Sequence, residues 1–239
     1  MAISSIIAPK KTLAKFVGKK NLAENVWLVS LAVSEPMFFK PGQYVSLKVT
    51  DQGVRRSYSV ASFEKGVVNL IIGLVPNGIG SNYINGLKED DRVDLMGFFG
   101  NFVVDIPGLE STKRIFFVAT GVGIAPFGPM IEKLFELNFK GEIVLLWGLR
   151  YVKGIYLRDY FERLMEKSKN FNLKIYLSRP ESEWSGLVGH VGDYIDTKEQ
   201  SELEGTWYLC GSNEMITETK SKLLLKGVNE DAINYEKFY

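Results

Sequence analysis

The feature that most constrains this chain is a change of rhythm near residue 112. Before it, short strand-like runs follow one another: VWLVSLAV (26–33), YVSLKV (44–49), RSYSVAS (56–62), VVNLIIGLV (67–75) and RVDLMGFFG (92–100). The turn-forming KPGQ, TDQG, EKG and KEDD separate them, and one short helix is expected in GSNYINGL (80–87). After it, strand and helix alternate. RIFFVAT (114–120) precedes the helical pattern of APFGPMIEKLFEL (125–137), and EIVLLWGL (142–149) precedes LRDYFERLMEKS (157–168). LKIYLSR (173–179), TWYLCGS (206–212), the helical EMITETKSKLLLKG (214–227) and a last strand-like INYEKFY complete the series. Closely spaced short strands predict a small antiparallel barrel or sandwich. Continuous apolar strands alternating with helices predict a doubly wound α/β domain around a buried parallel sheet. The expected domains are 1–108 and 112–239, joined through DIPGLESTK (105–113) with its Pro107 and Gly108.

Composition narrows the function. With 46% hydrophobic and 24% charged residues, 239 residues suit one large globular domain or two of ordinary size, with a real core. A net charge of +1 gives no support for nucleic acid as the main partner. One cysteine, Cys210, and one histidine, His190, exclude an intrachain disulfide, a four-thiolate zinc or iron–sulfur site and a multi-histidine metal site. No metal is expected. The N-terminal apolar run is too short for a signal peptide and its charges follow it, and no run approaches the roughly 18 apolar residues of a membrane span. Cytoplasmic residence is the expectation.

Candidate chemistry sits where strands end. In ATGVGIAP (119–126), Gly121 and Gly123 let backbone approach a ligand, and Pro126 suits a first helical turn whose N–H groups favour a phosphate. This is where a dinucleotide lies in open α/β sheets, although Pro126 stands where a G-x-G-x-x-G run has its third glycine. The same residues also fit an ordinary strand–turn–helix. YLCGSNEMI (208–216) repeats the arrangement with Cys210 and Gly211 at a strand end, Ser212 or Asn213 to cap a helix, and Glu214 in its first turn. There Cys210 is either a small buried hydrophobe or a group facing a ligand. GIGSNYI (78–84) is a second candidate phosphate site, or an ordinary helix start after a glycine turn. In RRSYSVAS (55–62), Arg56 and Tyr58 share one strand face, which suits a ligand with an anionic part and a flat ring but also an ordinary half-solvated strand.

Together, Arg-x-Tyr-Ser (56–59), Gly78-Ile79-Gly80-Ser81, GFFGNF (97–102), TGVGIAP, CGSNEM and a terminal EKFY occur in an order that resembles the ferredoxin–NADP reductase superfamily, which includes cytochrome b5 reductases, flavin reductases and oxygenase reductase components. The resemblance covers nearly the whole chain. It implies an N-terminal six-stranded antiparallel β-barrel binding FAD and a C-terminal domain binding NAD(P)H. By the same resemblance Arg56 would bind the flavin pyrophosphate, Tyr58 would lie against the isoalloxazine ring, and Ser59 would hydrogen-bond near flavin N5. Gly80 and Ser81 would meet the pyrophosphate at the helix start, and Ile72, Gly73 and Leu74 would offer backbone groups to the flavin ring. Thr120, Gly121, Gly123 and Pro126 match the nicotinamide-nucleotide loop. Cys210, Gly211 and Met215 match the C-G region, whose thiol lies near the nicotinamide ring. Glu236 and Phe238 match a terminal Glu-x-aromatic, with Phe238 as the ring that shields the other flavin face. Ser59, Cys210 and Glu236 are expected to organise the reacting site rather than act as nucleophiles.

The implied reaction moves a hydride from NAD(P)H to bound FAD and then electrons to an acceptor such as ferredoxin, flavodoxin or an oxygenase. With one cysteine and an end at Tyr239, the acceptor is expected to be a separate molecule. The alternatives are a flavin reductase that releases its flavin and an electron-transfer subunit inactive outside a complex. Ser178 and Arg179 end the third strand of the α/β half and would grip the 2′-phosphate of NADPH. The next basic residue, His190 aside, is Lys198, so the choice between NADH and NADPH stays open. His190 is read as a surface or capping residue, with a proton-handling role as the alternative, and Trp147, Trp184 and Trp207 as core or interdomain packing rather than flavin contacts. Lys10, Lys11, Lys15, Lys19 and Lys20 read as a solvated strand face, with an acceptor-docking patch as the alternative. Arg55 points away from Arg56 and receives no role.

Overall fold

The computed structural model describes residues 10–104 and 111–237, and the chain divides into two compact units between Val103 and Val104. The first unit contains β1 (Lys10–Ala23), β2 (Val26–Ala32), β3 (Tyr44–Lys48), β4 (Arg55–Glu64), β5 (Val67–Gly73), α1 (Ile79–Gly86) and β6 (Arg92–Phe99). The strands close an antiparallel barrel in the order β1-β2-β5-β4-β3-β6. Alternation fills it: Val29, Leu31, Val45, Leu47, Val60, Val68, Leu70, Val93 and Leu95 point inward and are buried.

The strand β1 is absent from the apolar runs of the sequence and corresponds only to the basic stretch read as a solvated strand face. Its inward residues Thr12, Ala14 and Phe16 alternate with exposed Lys11, Leu13 and Lys15, so its apolar signal is weak while its period of two is intact. Four of its five lysines meet local partners. Lys15 pairs with Asp90 at 2.7 Å, Lys11 with Asp94 at 3.1 Å, and Lys10 with Glu35. Lys19 donates to the carbonyls of Ile84 and Asn85 at 3.0 and 2.9 Å, in the last turn of α1 where a cation meets the negative helix end. This arrangement favours the solvated-face reading of the basic stretch.

Arg55 acquires a structural role. Its guanidinium bonds Asp94 Oδ1 at 2.9 Å, Ser46 Oγ at 3.1 Å and the Ser46 carbonyl at 2.6 Å. It therefore pins the adjacent strands β4, β3 and β6 together. Partial burial works against the charged Asp94 carboxylate, but the hydrogen bonds from Arg55 and Lys11 prevail and hold it below the usual carboxylate range.

The second unit contains β7 (Arg114–Thr120), α2 (Phe127–Glu136), β8 (Glu142–Leu149), α3 (Arg158–Lys167), β9 (Phe171–Leu177) and β10 (Leu187–Val188). It continues through α4 (Asp193–Asp196), α5 (Gln200–Leu203), β11 (Thr206–Gly211), α6 (Asn213–Leu225) and β12 (Ile233–Lys237). The sheet order is β10-β9-β8-β7-β11-β12 with every pairing parallel. Helices cover both faces. Tyr194, Ile195, Leu203, Ile216 and Leu223 from α4, α5 and α6 cluster with Phe116, Val118, Leu146 and Leu209, while Phe127 of α2 and Phe161 of α3 meet Phe117 and Trp147. Trp207 stacks on Phe116 with centroids 3.9 Å apart, which bears out its reading as packing. The order reverses between β7 and β11, so the crevice beyond their carboxyl ends is the topological switch point. The short elements β10, α4 and α5 had no periodic signal long enough to read. Among the described residues no helix is long and apolar enough to cross a membrane.

Candidate functional sites

In the barrel, α1 begins against the strand that carries Arg-x-Tyr-Ser. A Cβ added to Gly80 would stand 2.5 Å from the Tyr58 hydroxyl and 3.2 Å from Arg56 Cγ. Only glycine allows this approach, and it joins the two candidate motifs in one place. Tyr58 is half-buried and its phenol is pushed up to about 12, by burial first, with the Arg56 charge acting the other way. Arg56 is exposed, with Nη1 donating to the Arg55 carbonyl at 2.9 Å. Buried Ser81 accepts the Val75 N–H through Oγ at 2.9 Å, which closes the turn that leads into α1. Ser59 is buried beside Tyr58. The β4–β5 ladder runs from Glu64–Val67 to Val60–Leu70 and stops, short of Tyr58, Ser59, Ile72 and Gly73. On its other edge β5 stays paired, Ile72 with Trp27 and Gly73 with Val26, and the Leu74 N–H goes to the Asn25 carbonyl at 2.7 Å. The site thus combines an exposed guanidinium, a flat neutral ring, a buried hydroxyl and a strand edge outside the ladder. That donor set fits a ligand with a diphosphate and an aromatic ring system.

In the α/β unit the two glycine motifs interlock. A Cβ on Gly123 would lie 2.1 Å from the Cys210 carbonyl oxygen, and one on Gly211 would lie 2.3 Å from Thr120 Oγ1 and 3.0 Å from Thr120 N. The ends of β7 and β11 therefore touch backbone to backbone. Thr120 Oγ1 accepts the Ser212 N–H at 3.1 Å, and Ser212 Oγ accepts the Met215 N–H at 3.2 Å as the cap of α6. A cleft of about 720 Å³ opens beside them. Thr120, Gly121, Ser178, Gly211 and Met215 of the expected residues line it, whereas Gly123, Pro126, Arg179, Cys210 and Glu236 do not. One detail of the loop differs from expectation: Gly121–Ile124 form a 3-10 turn, and α2 starts only at Phe127 with Pro126 as its N-cap.

Cys210 is fully buried, paired in register with Ala119 on one side and Glu236 on the other. Burial, and then the neighbouring Glu236 carboxylate, push its thiol well above the ordinary range, so it is an S–H rather than a thiolate at neutral pH. Phe238 lies outside the described residues.

The sequence reading missed three contributors. Arg150 lines the cleft from the end of β8, and its carbonyl accepts the Arg179 N–H at 2.9 Å, so two arginines stand at adjacent strand ends. Only its position directly after an apolar strand marked it. His190, read as a surface or capping residue, is exposed and lines the cleft, while the carboxylate of Asp193 accepts its N–H at 2.8 Å. Tyr156 donates to the Gly121 carbonyl at 3.1 Å from a stretch with no motif. Trp147, read as packing, is indeed buried, and it donates to the same carbonyl at 3.1 Å.

Comparison with known proteins agrees in both halves. A family model described as oxidoreductase FAD-binding domain matches residues 13–104, and one described as oxidoreductase NAD-binding domain matches residues 117–221. The toluate 1,2-dioxygenase electron transfer component of Pseudomonas putida is 30% identical over 223 residues, covering 92% of this chain and 65% of that protein. Ferredoxin–NADP reductase B of Sorangium cellulosum is 30% identical over 197 residues, covering 78% of this chain and 79% of that protein. The crystal structure of Amycolatopsis cytochrome P450 reductase GcoB is similar with a TM-score of 0.88 at 25% identity, over 96% of this chain and 70% of that one. The chain spans 49% to 65% of the length of five curated relatives that it matches.

Proposed function

The chain belongs to the ferredoxin–NADP reductase superfamily, and from that premise we propose that it is an FAD-dependent oxidoreductase that takes electrons from NAD(P)H and passes them to a separate acceptor, an oxygenase component or a ferredoxin-type protein. The observation that carries the reading is that one chain holds two glycine-opened cradles of different chemistry. At Gly80 the cradle offers a guanidinium and a phenol. At Gly123 and Gly211 it offers backbone beside a cleft. Bound FAD supplies the hydride-accepting and electron-delivering chemistry that no side chain here can provide.

The chain's own residues bind and orient. The fork of Arg56 matches a diphosphate, and the hydroxyl of Ser81, which already accepts from Val75, has its own proton to donate to an anion. Tyr58, neutral at working pH, offers a flat surface to a ring system. Ser59 keeps a buried hydroxyl at the gap in the ladder. In the α/β unit, Thr120, Gly211 and Ser212 hold the loops together for a dinucleotide. Cys210, as a thiol, and the Glu236 carboxylate are in-register neighbours on β11 and β12 and organise the nicotinamide end from outside the cleft lining, without nucleophilic attack. Ser178 and Arg150, rather than Arg179, are the groups that line the cleft and suit an anionic substituent on the nucleotide.

Gel filtration followed by an assay with an artificial electron acceptor tests this. The expected result is a yellow protein that keeps stoichiometric FAD through the column and turns over NAD(P)H with ferricyanide. Flavin that elutes apart from the protein, with turnover only when free flavin is added back, would instead make it a reductase of free flavin.

A further inference from the structure

Two donors, one buried and one half-buried, converge on one backbone atom. Trp147 Nε1–H, from β8, and Tyr156 O–H, from the segment before α3, each reach the Gly121 carbonyl oxygen at 3.1 Å. Their rings meet edge to face with centroids 5.1 Å apart. Trp147 is fully buried, and burial raises the Tyr156 phenol far above its usual range, so it stays a neutral donor at any working pH. At position 156 packing alone does not require the donor, because phenylalanine differs from tyrosine only by the hydroxyl, whereas Trp147→Phe also leaves a cavity in the core.

The acceptor itself is unusual. Gly121 has φ +54°, in the left-handed region, while a Cβ there would meet nothing within 4 Å. The glycine is therefore demanded by its backbone conformation rather than by crowding. In a planar trans peptide the carbonyl and the following N–H point in opposite directions. A Gly121 oxygen drawn toward Trp147 and Tyr156 turns the Val122 N–H the other way, and Val122 lines the cleft.

We propose that Trp147 and Tyr156 are positioning residues that lock the Gly121–Val122 peptide so that the Val122 N–H faces the cleft, ready to bond the anionic pyrophosphate of the nucleotide. This rests on reading the cleft as the NAD(P)H site and adds two residues that set its affinity without touching the ligand. With one donor removed, the peptide samples other orientations and binding must select the competent one, which lowers apparent affinity by that fraction. With both removed, the oxygen has neither side-chain anchor and the loss exceeds the product of the single effects.

The experiment measures Kd for NAD+ and NADP+ by equilibrium dialysis on FAD-loaded wild type, Tyr156→Phe, Trp147→Phe and the double variant, with melting temperature, FAD content and steady-state kinetics alongside. Tyr156→Phe is expected to weaken binding of the preferred nucleotide roughly three- to tenfold, the range for one lost hydrogen bond. The rise should appear in KM rather than in kcat, with FAD content unchanged. The double variant should be weaker than the product of the two. A Tyr156→Phe protein with wild-type Kd overturns the proposal, and a fall in melting temperature with unchanged Kd reduces the pair to a structural role. A wild type that binds neither nucleotide refutes the nucleotide reading of the cleft itself, a result distinct from failure of the pair.

Discussion

The barrel and the α/β unit both open a cradle with glycine, but they crowd it with different atoms. At Gly80 the neighbours are side chains, the Tyr58 hydroxyl at 2.5 Å and Arg56 Cγ at 3.2 Å. At Gly123 they are main chain, the Cys210 oxygen at 2.1 Å and carbon at 2.6 Å. A seat built from side chains takes its chemistry from the sequence and can adjust when crowded. A seat built from backbone takes its shape from the packing of β7 against β11 and cannot yield without moving a strand.

That contrast orders the expected mutational effects. Gly123→Ala should be the most damaging, because no flexible group can move away. It should cost about 1–3 kcal/mol of stability or more and abolish NAD(P)+ binding while FAD remains bound, read by denaturant unfolding and equilibrium dialysis. Gly80→Ala should raise the Kd for FAD roughly tenfold or more. Here a second change should rescue it, since Tyr58→Phe removes the clashing oxygen. A double variant no better than Gly80→Ala would mean that the backbone, not the hydroxyl, is the obstacle, and the contrast between the two seats would fall.

The adjacent arginines sharpen the barrel half. Arg55→Ala should destabilise the barrel by about 1.5–3 kcal/mol, the range for hydrogen bonds to a charged group, with FAD affinity near wild type. Arg56→Ala should do the reverse and weaken FAD with little change in unfolding midpoint. Equal effects of the two on FAD would contradict the division of labour drawn from their contacts. The smallest effect concerns pH. The folded-state pKa of Asp94 is lowered, so its pairing contributes stability above the unfolded carboxylate pKa and loses it as pH falls through the folded one. Asp94→Asn should be less stable at neutral pH and should show a shallower loss on acidification.

The same contrast explains how much the sequence revealed. Arg56, Tyr58 and Ser81 could be singled out because a cation, a ring and a hydroxyl stand out among strand residues, and alternation in five strands located most of the barrel. The strand β1 showed only through its lysine-bearing outer face, since Thr12 and Ala14 give a buried face without strong hydrophobicity. Gly121, Gly123 and Gly211 were legible as glycines at strand ends, but their spacing did not reveal that Gly123 yields to Cys210 or that the loop forms a 3-10 turn before α2. Arg150 and Tyr156 reach the cleft and the Gly121 oxygen through tertiary packing of β8 and the segment before α3, a relation between distant positions that no local period encodes. For Arg55, the face it occupies could be read from parity, whereas its partners Ser46 and Asp94 depend on the strand order of the closed barrel.

The central claim is that the barrel seats FAD and that electrons reach it from a nucleotide bound at the switch point of the parallel sheet. Anaerobic titration of the FAD-loaded wild type with NADH and with NADPH, followed at the flavin absorbance band, tests it most directly. One of the two is expected to bleach the flavin with a one-to-one endpoint, and Gly123→Ala, still yellow, to stay unbleached at the same concentration. A colourless protein that takes up no FAD, or bound flavin that neither nucleotide reduces, would contradict it.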